Sequence, residues 1–154
     1  MLHTLEKIKN EHDNFLKWVE TLKGISNKTW SNPYSEGKWS PSEIIAHLMF
    51  WDRFLLNLSI IDVQPGDNLP NFPPVQEENE RAAKYARETK SKDQLIDEFL
   101  NVRKEFVHLI NELNEDQLYI PFKVGNHDYT VISLLEDFQG HDKHHQVQIQ
   151  SVTK

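Results

Sequence analysis

The chain has 154 residues, with 17 Lys plus Arg against 24 Asp plus Glu, a net charge of −7. That length suits one domain with a real core, the acidic balance argues against a nucleic-acid partner, and the absence of cysteine excludes disulfides, cysteine-ligated zinc and a cysteine nucleophile. No apolar run approaches the ~18 residues of a membrane span and the first residues, Met1 to Glu6, lack the basic and apolar regions of a signal peptide, so the expectation is a soluble cytoplasmic protein forming one domain over residues 1–154.

In residues 2–23, Leu5, Ile8, His12, Phe15, Val19 and Leu22 step by three and four. That predicts an amphipathic helix stopped by Gly24. A loop with Pro33 and Gly37 leads to Ser40-Pro41-Ser42-Glu43. Ser40 as N-cap, Pro41 in the first turn and Glu43 completing a capping box predict a helix start. The stripe Ile44, His47, Leu48, Trp51, Phe54, Leu55, Leu58 and Ile61 carries this second helix to about residue 61.

Four of the seven prolines, Pro65, Pro70, Pro73 and Pro74, lie in residues 62–78. Proline removes a backbone donor and disfavours helix before it, which predicts a long crossover. Residues 76–89 read as a short polar helix, and Ser91 with Gln94 restarts helix at a second capping box. Leu95, Phe99, Val102, Phe106, Leu109 and Leu113 form its bundle-facing seam. Within 118–131, the strand formers Tyr119, Ile120, Phe122 and Val124, the turn Gly125 to Asp128, and Tyr129 to Val131 predict a small β-hairpin. A last helix over 131–151 has the stripe Leu134, Phe138, His141, His145, Ile149 and Val152. The expectation is an all-α four-helix bundle with a long crossover between its second and third helices and a β-hairpin before the last.

Bundles build their sites from side chains on facing helices, so histidines within apolar stripes matter most. His141 and His145 are four apart and share a helix face. A third imidazole must come from elsewhere, and His47 is the candidate. Three neutral imidazoles suit Zn²⁺, Ni²⁺, Fe²⁺ or Cu²⁺, and three protein ligands leave a position for water or substrate. His144, three residues after His141, is the alternative to His145. Its row runs through Asp137 and Gln148, which suits a solvated or supporting face, so His145 is preferred. His12 reads first as a hydrogen-bonded core residue. The tryptophans Trp18, Trp30, Trp39 and Trp51 read as core and loop anchors that are also compatible with a ligand pocket.

The segments Tyr34–Leu48 and His141–Ile149 together resemble the start of the second helix and the last-helix motif of the DinB-like superfamily. Helix order and loop lengths extend the resemblance over nearly the whole chain. It implies a four-helix bundle, often dimeric, with one divalent metal on three histidines matching His47, His141 and His145. The Trp-containing loop and the His-x-x-His-His ending look most like the bacillithiol S-transferase branch. The resemblance thus implies a small-molecule enzyme in which a low-molecular-weight thiol, as co-substrate on Zn or Ni, attacks a small electrophile within a homodimer. The alternatives are a metal-dependent hydrolase, with His12 or Asp52 as base if they face the site, and a non-catalytic metal- or small-molecule-binding stress protein.

Overall fold

The computed structural model describes residues 3–88 and 91–153, so the expected helix ends at residues 2 and 89 lie outside it. Among the described residues there are six α-helices: α1 His3–Thr21, α2 Asn27–Ser31, α3 Pro41–Leu58, α4 Val75–Glu88, α5 Lys92–Asn111 and α6 Val131–Gln150. Three short strands, β1 Asn68–Leu69, β2 Pro121–Val124 and β3 His127–Thr130, form one sheet. Helices α1, α3, α5 and α6 are the expected four-helix bundle.

Every residue of the α1 stripe is buried. Helix α3 starts where the capping box put it: the Glu43 amide donates to Ser40 Oγ at 3.2 Å and the Ser40 amide donates to Glu43 Oε1 at 3.0 Å. It ends at Leu58, three residues short of expectation, because Ser59 turns left-handed (φ 53°) before a 3₁₀ turn over Ile60–Asp62. Ile44, Ile45, Ala46, Leu48 and Met49 are all buried, so α3 is apolar on nearly every side. Contrary to the expectation that no segment approaches a membrane span, Pro41–Asp62 is long and apolar enough to cross one by length and composition alone. Here that surface is spent on packing against α1-side core residues, α4 and α5. Helix α4 lies on α3 through Ala82, Ala83 and Ala86, whose small side chains let the two helices approach.

The seam of α5 differs from the sequence reading. Arg103, not Val102, occupies the fully buried position between Phe99 and Phe106, and Ile110 replaces Leu109. On α6 the stripe residues Leu134, His145 and Ile149 are buried as expected, but between them Gln139 and Asp142 are buried while Phe138 and His141 are half-buried.

The hairpin forms with Phe122 opposite Tyr129 and Val124 opposite His127, joined through Gly125 at φ 59°. A β-carbon at Gly125 would meet the Asn71 side chain at 2.3 Å, so this turn needs glycine twice over. The crossover contributes an unforeseen strand: β1 pairs parallel to β2, Asn68 with Lys123 and Leu69 with Val124. The amides of Lys123 and Gly125 donate to the carbonyls of Asp67 and Leu69 at 2.8 and 3.0 Å. The crossover is thereby pinned to the hairpin, which fixes Phe72 and Val75 beside the histidines.

Candidate metal centre

The bundle brings His47 from α3 together with His141 and His145 from α6. One ring nitrogen from each lies within 4.8 Å of the others. His47 Nε2 is 3.0 Å from His141 Nε2, and His145 Nε2 is 3.1 Å from it. The i,i+4 spacing on α6 supplies two rings on one face, and the capped first turns of α3 supply the third.

The opposite edges of two rings are held by amides. Asn79 Oδ1 on α4 lies 2.9 Å from His47 Nδ1, and Gln148 Oε1 lies 2.7 Å from His145 Nδ1. An amide oxygen only accepts, so both Nδ1 atoms carry the proton and both Nε2 atoms present lone pairs. His141 Nε2 has at most one proton to share between them. At least one of the short Nε2 contacts is therefore lone pair against lone pair, which a cation between the rings would relieve. A carbonyl oxygen on the far ring nitrogen is also how metal-ligating histidines are oriented. The donor set fits a divalent transition ion. Gln148 is itself placed by Tyr34, whose hydroxyl accepts from Gln148 Nε2 at 2.9 Å, and it also contacts His144 Nε2 at 3.2 Å.

Burial disfavours charge on these rings. It lowers the His47 pKa to about 3, helped by the two neighbouring imidazoles and opposed by the Asn79 hydrogen bond. It lowers His141 to about 4, with His145, His144 and Arg103 adding, and it lowers His145 against the opposing Gln148 bond. All three are neutral at pH 7, the state a metal requires.

The rings form the floor of a cavity of about 530 Å³ walled by Trp39, Trp51, Phe72, Val75 and Phe138, with Asn79, Asp137 and His144 also lining it. Trp39 lies 4.7 Å from the His47 ring centre and 6.1 Å from that of His145. Phe138 stands 6.4 Å from His141. The turn before α3 aims Trp39 here: the Tyr34 amide donates to the Trp39 carbonyl at 2.9 Å across Gly37, at φ 73°.

The two residues considered as bases lie elsewhere. Asp52 is buried against Arg103, accepting from Nε at 2.7 Å and from Nη2 at 3.0 Å. Asp142 takes the other edge of the same guanidinium at 2.8 and 3.0 Å. Burial raises the Asp52 pKa to about 6, with Arg103 opposing and Asp142 adding. Burial alone would lower the Arg103 pKa, but Asp142 and Asp52 reverse this and hold the guanidinium charged. His12 is buried beside this cluster, its pKa lowered to about 4 by burial and by Arg103. It faces a separate cavity of about 220 Å³ lined also by Gln139 and Asp142. Contrary to the expected hydrogen-bonded core histidine, neither His12 ring nitrogen has a partner. His144 is exposed at the cavity rim, outside the cluster of three.

Sequence reasoning missed Asn79 and Arg103. Asn79 sits in a polar helix with no stripe pointing at a site. Arg103 was legible as four after Phe99 and three before Phe106, a buried slot holding a charge.

The sequence model of the DinB superfamily matches residues 8–149. No curated protein matches the chain. Among solved structures the fold is similar to YfiT from Bacillus subtilis, described as a probable metal-dependent hydrolase with an unusual four-helix bundle topology. The TM-score is 0.74 at 16% identity, over 96% of this chain and 85% of that one.

Proposed function

We propose that this chain, which belongs to the DinB superfamily, is a metal-dependent enzyme that joins a low-molecular-weight thiol of the bacillithiol type to small electrophiles. The observation that carries it is the convergence of three neutral Nε2 atoms at the floor of an open cavity. Zn²⁺ or Ni²⁺ suits three imidazoles. Bound there, such an ion supplies a lowered pKa to a coordinated thiol or water.

The chain's own residues do the rest. Asn79 and Gln148 hold the Nδ1 protons, so that Nε2 stays free to ligate. Trp39, Trp51 and Phe138 give the imidazoles apolar walls. The buried carboxylates of Asp52 and Asp142 are both committed to Arg103, and His12 lies at another cavity. This supports sulfur over oxygen as nucleophile, because a thiol near pKa ~8.5 needs far less help from a base than water does. Hydrolysis is the second reading, favoured by Asp137 and His144, which line the same cavity as proton acceptors. Assembly as a homodimer belongs to the same proposal, and sedimentation should show twice the chain mass.

Two measurements test it. Untagged protein should retain about one divalent ion per chain, and His47→Ala with His145→Ala should retain almost none. With the metal loaded, a halide-bearing electrophile should be conjugated only when thiol is present. Turnover of an activated ester without thiol, inhibited by added thiol, would instead establish the hydrolase.

A further inference from the structure

The walls of the cavity above the histidines differ sharply from its floor. Five wall residues are apolar: Trp39, Trp51, Phe72, Val75 and Phe138. Among the described residues no lysine or arginine lines it, and Asp137 is the one formally charged lining residue. The aromatic rings form a connected surface, with Phe72 at 6.2 Å from Trp51 and Trp51 at 6.5 Å from His47. Val75 is 58% exposed at the rim although it is a large apolar side chain. The exposed Asp137 sits one turn before His141 on α6.

From these walls we infer that the site selects an electrophile with a neutral, aromatic or branched apolar body, and rejects one whose body carries a carboxylate, sulfonate or phosphate. The inference rests on the reading of the three histidines as the reactive floor. A substrate's reacting end lies at that floor and its body lies against the rings. An aromatic body gains from burying its surface and from edge and face contacts with Trp and Phe. An anionic body loses its hydration, finds no cationic partner on the walls, and meets the like charge of Asp137.

The wall chemistry can be read without turnover and without metal. N-Phenyl-1-naphthylamine and 1-anilinonaphthalene-8-sulfonate share one aromatic body and differ by a sulfonate. In fluorescence titrations of the metal-free full chain, the neutral dye should bind at least tenfold more tightly. Asp137→Lys, a change at an exposed position, should bring the two affinities to within about threefold by strengthening the sulfonate. Phe72→Ala should weaken the neutral dye severalfold. Equal affinities in the unaltered chain, no binding of the neutral dye, or an unchanged ratio in Asp137→Lys would each overturn the inference.

Zinc-loaded protein supplies the link to the floor. Benzohydroxamate should bind at least tenfold more tightly than acetohydroxamate, and 4-carboxybenzohydroxamate should fall back to the acetohydroxamate level. Acetohydroxamate matching benzohydroxamate would overturn the inference even if the dyes behave as expected. Dye selectivity with no hydroxamate binding at all would instead count against the metal reading while leaving the wall preference standing.

Discussion

Helices α3 and α6 each contribute to two polar clusters, and the two clusters end in opposite chemical states. His47 precedes Asp52 by five residues on α3, and His141 and His145 flank Asp142 on α6. Toward α5, Asp52 and Asp142 close on Arg103 with four hydrogen bonds between 2.7 and 3.0 Å. The guanidinium also lies 5.0 Å from the ring centres of Phe15 and Phe99. Each carboxylate there has donors to accept from. Toward α4 and the crossover, the Nε2 lone pairs of His47 and His145 converge on His141 Nε2, and the three rings open into a cavity. A buried polar cluster whose groups satisfy one another has no chemistry left to offer, whereas one with converging lone pairs still lacks a partner. The comparison supports the metal role proposed for the histidine cluster, and it makes the Arg103 cluster a brace between α3, α5 and α6.

The largest effect should come from breaking the closed cluster. Arg103→Met leaves two carboxylates buried without a cation, and removing one partner of a buried ion pair costs about 3–5 kcal/mol. Chemical denaturation should show that loss. Replacing all three residues with apolar ones, as Asp52→Leu, Arg103→Met and Asp142→Leu together, removes the charges as a set and should recover most of it. If the triple variant folds stably but has lost its metal, the closed cluster is more than a brace.

The acid limb of stability comes next. His12 titrates near ~6.5 in the unfolded chain and at about 4 in the folded one. Between these values the unfolded state binds a proton that the folded state refuses. Its contribution is therefore complete above pH 6.5 and lost as pH falls toward 4. Asp52, raised to about 6, acts in the opposite sense and softens the slope. His12→Leu removes the His12 share, so at pH 5 the metal-free variant should gain about 2 kcal/mol over the unaltered chain beyond any gain at pH 7.5. An equal gain at both pH values would mean that His12 is not held neutral.

A smaller effect tests the orientation of the open cluster. Asn79→Ala removes the acceptor that fixes the His47 tautomer. Loss of such a partner lowers metal affinity roughly 10- to 100-fold, and the lower end is expected because Gln148 still holds His145. A competition titration against a zinc chelator measures it. Unchanged affinity would leave the Asn79 bond incidental.

The two clusters were not equally legible in the sequence. His47, His141 and His145 stood out because imidazoles recur on apolar stripes at spacings that define a face. Arg103 escapes because the apolar neighbour Val102 completes the three-and-four stepping between Phe99 and Phe106 and leaves the arginine unexamined. The pattern offers Asp52 only as a candidate base and says nothing of Asp142, since nothing local announces that one buried arginine binds both. The bundle was legible because its four long helices have complete caps or stripes. Strand β1 was not: two residues in a proline-rich crossover show no alternation, and their pairing with β2 spans more than fifty residues. The five-residue helix α2 was missed although Ser26 caps it, its Oγ accepting from the Thr29 amide at 3.0 Å. Phe72 was unremarkable in sequence because its role depends on where β1 and Gly125 hold the crossover.

The smallest effect probes how local structure sets the open cluster apart from the closed one. Ser40 lies seven residues before His47 and twelve before Asp52, so its cap supports the end of α3 that carries the imidazole more directly than the end that carries the brace. Ser40 Oγ accepts from the Glu43 amide and contacts Ser42 Oγ at 2.9 Å, while Glu43 Oε2 accepts from Arg87 Nη1 at 2.8 Å. The cap thus joins the first turn of α3 to α4, the helix bearing Asn79. Replacing an N-cap serine with alanine costs ~1 kcal/mol. Ser40→Ala should lower the melting temperature of the metal-free protein by a few degrees, about the shift ~1 kcal/mol produces at this size. It should also raise amide exchange in the first turn of α3 while leaving exchange around Arg103 unchanged. Uniform exchange along α3 would mean that the helix responds as one rigid unit, and the two clusters would then be coupled through it rather than separately supported.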